Sequence, residues 1–147
     1  MIILTTSILA AAQTPLQISQ IFNGTYASDP AVTETMMSGN HDFLKRHKLS
    51  LFTTFKGPAS KYAQIVEPLV LKDGANAIGR NIRYKDGVLT YAYFMLQPIE
   101  EDGKTINRYI YYINGQPQKG KNIMVLYFEG RLRQNEANAL IKAMSKN

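Results

Sequence analysis

The sequence has no cysteine among its 147 residues. That absence excludes disulfides, a thiol nucleophile, zinc–thiolate centres and a lipid-modified N-terminal Cys. Histidine is almost as scarce: His41 and His47, beside Asp42, are the only two. A metal site needs more ligands at useful spacing, and a general base needs a positioned partner. Neither is evident, so no metal, no cofactor and no catalytic residue is assigned, and Asp42–Lys48 reads as surface structure. The Gly-x-Ser-x-Gly elbow, the phosphate loop and the dinucleotide fingerprint are also missing. Glu100-Glu101-Asp102 ends in Gly103 and reads as a turn, shorter than a calcium loop requires. No apolar run approaches the roughly 20 residues of a membrane-spanning helix. Asn23-Gly24-Thr25 matches a glycosylation sequon, which has meaning only in a eukaryotic secretory context.

Basic residues are absent before Lys45. All 17 Lys and Arg lie between Lys45 and Lys146, and the net charge is +6. They are scattered singly through strands and turns, the pattern of a solvated surface. The densest run, Lys45-Arg46-His47-Lys48, is too short for a nucleic-acid tail. Arg80, Arg83, Lys85 and Arg108 are interleaved with tyrosines, but no single-strand-binding motif accompanies them, and nucleic acid is not an expected partner.

What is present begins at the N-terminus. Ile2, Ile3, Leu4, Ile8 and Leu9 form a short apolar run that closes in Ala10-Ala11-Ala12. Small residues at Ala10 and Ala12 match the site a signal peptidase cuts after. Residues 1–12 therefore read as a signal peptide, and residues 13–147 as one domain, periplasmic or secreted after cleavage near Ala12-Gln13. The run lacks the basic residue with which such signals usually open. The 45% apolar and 19% charged composition is that of a globular protein. A chain of this length buries roughly two-thirds of its extended surface, enough for a core without staples.

Thr14-Pro15 reads as the start of a helix, with Leu16, Ile18, Ile21, Phe22 and Tyr26 as its apolar stripe and Asp29-Pro30 as its end. Residues 31–38 read as a strand, and Asp42 caps one or two helical turns. Leu49 to Phe55 alternates as a second strand, with Leu49, Leu51, Thr53 and Phe55 on one face. A helix follows Gly57-Pro58, buries Tyr62, Ile65, Val66 and Leu69, kinks or restarts at Pro68, and is finished by Asp73-Gly74. Four strands follow: 76–84, 88–96, 105–113 and 122–129. The first two are joined by the hairpin signal Lys85-Asp86-Gly87. Leu132, Ala137, Leu140, Ile141 and Met144 mark a C-terminal helix. The expected fold is α+β: a mainly antiparallel sheet of about six strands, with a C-terminal four-stranded meander and helices packed on it.

That meander has too many apolar faces for a sheet with one wet side. Leu89, Tyr91, Tyr93 and Met95 oppose Val88, Ala92, Phe94 and Leu96, and Tyr109, Tyr111 and Ile113 oppose Ile106, Ile110 and Tyr112. Either both faces are covered, or a tyrosine-rich face is left for a ligand, since tyrosine suits a surface that is apolar but half wet. The candidate contacts are Tyr91, Tyr93, Tyr109 and Tyr111, with Arg108 beside them.

Several segments carry a resemblance. Asp29-Pro30-Ala31-Val32-Thr33-Glu34, Lys48-Leu49-Ser50-Leu51-Phe52, Arg83-Tyr84-Lys85-Asp86-Gly87, Asn107-Arg108-Tyr109-Ile110-Tyr111-Tyr112 and Leu126-Tyr127-Phe128-Glu129-Gly130 resemble a group of small exported Bacteroidales proteins, a domain of unknown function. The resemblance implies a signal peptide cut before Gln and a single α+β domain, and it supplies no catalytic residues. The chain departs from the group in its N-terminus and at Arg133, where Ser would be the better helix cap.

The functional expectation is an exported, non-enzymatic module that binds a sugar, a peptide or a protein through the tyrosine face. A second reading is self-association, as a homodimer, through the same face. A third is an enzyme whose site assembles only in three dimensions. A cleft gathering His41 or His47 with Asp42 and a Ser or Thr would mark it.

Overall fold

The computed structural model describes residues 16–115 and 121–145. Residues 1–12 and the Thr14-Pro15 helix start lie outside them. Among the described residues there are seven strands: β1 Thr33–Ser38, β2 Leu49–Pro58, β3 Gly79–Lys85, β4 Val88–Met95, β5 Ile99–Glu101, β6 Lys104–Asn114 and β7 Asn122–Gly130. The helices are α1 Asp42–Arg46, α2 Ala59–Asp73 and α3 Gln134–Ser145. The sheet runs β1-β2-β7-β6-β4-β3, with β5 added to β6, and every pairing is antiparallel. This is the expected α+β architecture. The meander β3-β4-β6-β7 is intact and takes β2 and β1 on its far side.

Two tight turns set the registers of the β3–β4 and β5–β6 hairpins. Asp86-Gly87 and Asp102-Gly103 both hold φ near +50° and +75°, the left-handed pair that a two-residue hairpin requires. The second turn also creates β5. The segment expected as an acidic turn folds back, pairing Ile99 with Ile106 and Glu101 with Lys104.

The N-terminal stripe does not make a regular α-helix. Gln17–Gln20 forms a 3-10 turn, and turns follow it. Gly24 at φ +84 and the Asn23 side chain, which accepts the Thr25 N–H, favour turns over helix. This segment is pinned from a distance. Asp73, at the end of α2, accepts the N–H groups of Gln17 and Ile18 at 2.7 and 2.9 Å. The helix does not restart at Pro68: α2 runs unbroken from Ala59 to Asp73 with Pro68 inside it. Pro68 and Gln64, whose carbonyl loses its partner, both lie on the exposed side, where water can replace the missing N–H.

Both sheet faces are covered. On one, α2 and the 3-10 turn bury Ile18, Tyr62, Val66 and Val70 against Phe55, Phe94, Ile110, Tyr112 and Val125. On the other, Leu132, Ala137, Leu140 and Ile141 pack on Phe52, Tyr109, Tyr111, Leu126 and Phe128, with Leu44 of α1. Two bulges move a leucine to the face opposite that given by simple alternation. Leu49 pairs with Gly130 and Leu51 with Glu129, so Ser50 is the extra residue and Leu49 joins Phe52. Arg83 pairs with Tyr91 and Tyr84 with Leu89, so Thr90 is extra and Leu89 joins Ala92 and Phe94.

Candidate functional site

The tyrosine face is roofed. Ala137, Leu140, Ile141 and Met144 recur at helical spacing and lay the apolar side of α3 over it. Tyr109 and Tyr111 are fully buried, Tyr93 is 6% exposed, and Tyr91 alone is half-buried. An open platform of four rings is therefore not what the fold makes. The rings instead form an aromatic layer, with Tyr93 stacked on Tyr109, Tyr109 on Phe128, and Tyr91 edge-on to Tyr111. Arg108 is not with them. It lies across the sheet, where Nε and Nη2 both donate to the Gln97 carbonyl, and it lines a different cleft of about 630 Å³ with Leu51 and Tyr127.

The layer opens at one margin. α3 has 12 residues, a length of about 18 Å, and β3, at the sheet edge, stays almost wholly exposed. Between them lies a cleft of about 600 Å³. Its floor is Tyr91, Tyr93 and Tyr111. One wall is β3, where Asn81 pairs with Tyr93 and Arg83 with Tyr91. The opposite wall is the stripe Gln134, Asn138 and Lys142 of α3, spaced at intervals of four. Arg80 stands at the rim, its guanidinium donating to the Ala77 carbonyl at 3.1 Å. The Arg83 guanidinium lies 4.8 Å from the Tyr91 ring centre.

One polar atom in this cleft is unusual. The Tyr93 hydroxyl is buried and has no hydrogen-bond partner among the described residues. Burial holds its ionisation far above the usual phenol range, with Tyr109 and Tyr91 adding to the effect. Its neighbour Tyr109 is different: its hydroxyl donates to the Leu132 carbonyl at 2.9 Å, and burial pushes its pKa up to about 12. In the cleft around Arg108 the corresponding hydroxyl, Tyr127, is already donated to Glu129 at 2.6 Å. Buried polar groups without partners are few in folded proteins, and each calls for an explanation.

The remaining candidates do not converge. His47 packs on the Phe43 ring, and His41 is exposed just before α1. The cleft beside α1 is lined by Lys45, Lys48 and Ser50 and by neither histidine. No group of three or more His, Asp or Glu able to hold a metal occurs among the described residues. No helix among them is long and apolar enough to cross a membrane. The polar walls of the tyrosine cleft escaped sequence reasoning. The interval of four in α3 is visible, but only the topology sets it opposite β3.

Fold and clefts thus define a two-face-covered antiparallel α+β protein with an aromatic-floored, polar-walled site. The chain belongs to the family of unknown function DUF6108, which matches residues 5–141. Comparison with curated proteins and with solved structures finds no match.

Proposed function

We propose that this chain is an exported, non-enzymatic binding module whose ligand enters the cleft between β3 and α3. The observation that carries the reading is the Tyr93 hydroxyl, a buried donor without a partner among the described residues, on a ring of that cleft's floor. A ligand oxygen would satisfy it. The rest of the lining selects the class: an aromatic ring edge at Tyr91, amides at Asn81 and Asn138, and the cations Arg83 and Lys142, while the Arg80 guanidinium is taken up by the Ala77 carbonyl. Rings with amides suit a sugar, and the cations suit a carboxylate, so the ligand class is an acidic sugar. Export is supported by the Ala10-Ala11-Ala12 pattern and by the resemblance to exported Bacteroidales proteins.

An NMR titration of the protein with galacturonate and, separately, galactose tests the site. The uronate shifts Tyr91, Tyr93 and Asn138 and the neutral sugar does so less, while Tyr93→Phe weakens uronate binding. Uronate binding unchanged by Tyr93→Phe would remove the reading.

One observation favours self-association at a different place from the tyrosine face. Of the exposed large apolar side chains, Ile82 and Tyr84 lie on edge strand β3 and Ile78 just before it. Arg80, Arg83 and Lys85 on that strand oppose pairing with a second, equally basic copy. Sedimentation that stays monomeric at high concentration decides for the binding module.

A further inference from the structure

A second cleft, of about 900 Å³, lies on the α3 face where α1 and the end of β7 meet. Four cations line it: Lys45 and Lys48 from the α1–β2 junction, and Arg131 and Arg133 from the segment between β7 and α3. Glu136 is the one acidic residue in the lining. It is engaged already, by Lys48 Nζ at 2.8 Å and by the Arg133 N–H at 2.9 Å. The floor is apolar, built by Leu44, Leu49 and Ile106.

Two backbone features assemble this cleft. A Cβ on Gly130 would sit 2.2 Å from the Lys48 carbonyl oxygen, so only glycine lets β7 end against Lys48. The Arg131 N–H then donates to that carbonyl at 2.9 Å. Lys48 itself holds φ +59. The other non-glycine residues in this region are Asp86 and Asp102, each in a hairpin turn before a glycine, where Asp is at home. Lys48 occupies the position just past the α1 C-cap His47, where a left-handed residue commonly ends a helix, and its N–H donates to the Lys45 carbonyl at 3.3 Å. Gly or Asn is usual at such a position, and the lysine found there instead brings a long cation to Glu136 in the cleft lining.

We propose that this cleft binds a phosphate ester. Lys45, Lys48, Arg131 and Arg133 hold the phosphoryl oxygens, and the Leu44–Leu49–Ile106 floor seats the apolar part. Guanidinium groups match phosphoryl oxygens in paired hydrogen bonds, and lysines add point charge. A carboxylate alone would leave most of this charge unused. The shared chemistry has two sources, a soluble ester or an anionic lipid headgroup.

The experiment titrates the protein with phenyl phosphate and, separately, with phosphatidylcholine vesicles with and without phosphatidylglycerol. Phenyl phosphate binding, with amide shifts at Lys48 and Arg131 and a steep loss with salt, assigns a soluble ester. Binding only to the phosphatidylglycerol vesicles assigns a headgroup. In either case Arg131→Ala with Arg133→Ala weakens binding roughly tenfold or more. Lys48→Gly keeps the hinge testable if that double variant does not fold. Glycine accepts the left-handed backbone, so the variant melts no lower than the parent yet binds more weakly. No binding to either probe, or binding that all of these variants leave unchanged, overturns the proposal.

Discussion

Two hydroxyls in one aromatic layer provide a matched pair of perturbations. Tyr93→Phe and Tyr109→Phe remove the same atom from rings stacked 6.3 Å apart under the same helix. Tyr93 is 6% exposed and its hydroxyl has no partner among the described residues. A buried, unpaired polar group costs about 1–3 kcal/mol, so its removal stabilises the free protein by about 1 kcal/mol after allowance for the small void. For a chain of this size that raises Tm by about 2–4 °C. Tyr109 donates to the Leu132 carbonyl, and its loss costs about 1 kcal/mol. It costs no more because Asn107 Nδ2 still donates to the same carbonyl, at 3.0 Å. The two substitutions therefore move stability in opposite directions. Urea unfolding of the two variants beside the parent reads the sign directly, and the comparison cancels effects common to both. If Tyr93→Phe destabilises as much as Tyr109→Phe, the Tyr93 hydroxyl has a partner and the argument for the tyrosine cleft fails.

Other expectations follow from single contacts. Gly130→Ala places a Cβ 2.2 Å from the Lys48 oxygen and 2.7 Å from Leu49 Cα, both backbone atoms that cannot swing away. It should cost roughly 2–3 kcal/mol in urea unfolding, and parent-like stability would show that the strands have room. The Asp29 carboxyl is held down to about 2, first by the Tyr62 hydroxyl, then by the Ala31 N–H and Lys61. Its folded value lies below the unfolded value of about 4, so its contribution is present above pH 4 and is lost as pH falls through about 2. NMR titration should find that low midpoint, and Asp29→Asn should flatten the acid limb of the stability curve; a midpoint near 4 would contradict the contact. At high pH the sign reverses in direction. Tyr109, raised to about 12 by burial and by the charge of Glu136, contributes stability below pH 10 that is lost as pH rises towards 12. Tyrosinate absorbance should then rise together with unfolding, and a smooth titration of folded protein near pH 10 would show the rings to be open.

The β3–β4 hairpin was legible because Asp-Gly in a two-residue turn has one cheap conformation; Asp102-Gly103 adopts the same one, but there only a turn was read and strand β5 was not. The doubled apolar faces were legible too; cover on both sides was one of two readings they left open, and α2 and α3 supply it. The faces of Leu49 and Leu89 were not. Each is set by the bulge that comes next in the chain, at Ser50 and Thr90, and a one-residue insertion leaves no mark in the alternation itself. The N-terminal stripe had helical spacing without helical backbone preference. Its conformation is fixed by Asp73, more than 50 residues away. Four tyrosines were singled out correctly as lying on one face, but exposure is decided by α3, and only the topology shows that its roof stops short of β3. The basic cleft was invisible for the same reason: Lys45 and Lys48 meet Arg131 and Arg133 only across the Gly130 contact.

The most direct test is the NMR signal of the tyrosine ring Cζ atoms during titration with galacturonate. The account requires that Tyr93 and Tyr91 shift together and saturate, while Tyr109, sealed by its bond to Leu132, stays still. A titration in which Tyr93 does not move, or moves no more than Tyr109, would contradict a site built around its unpartnered hydroxyl.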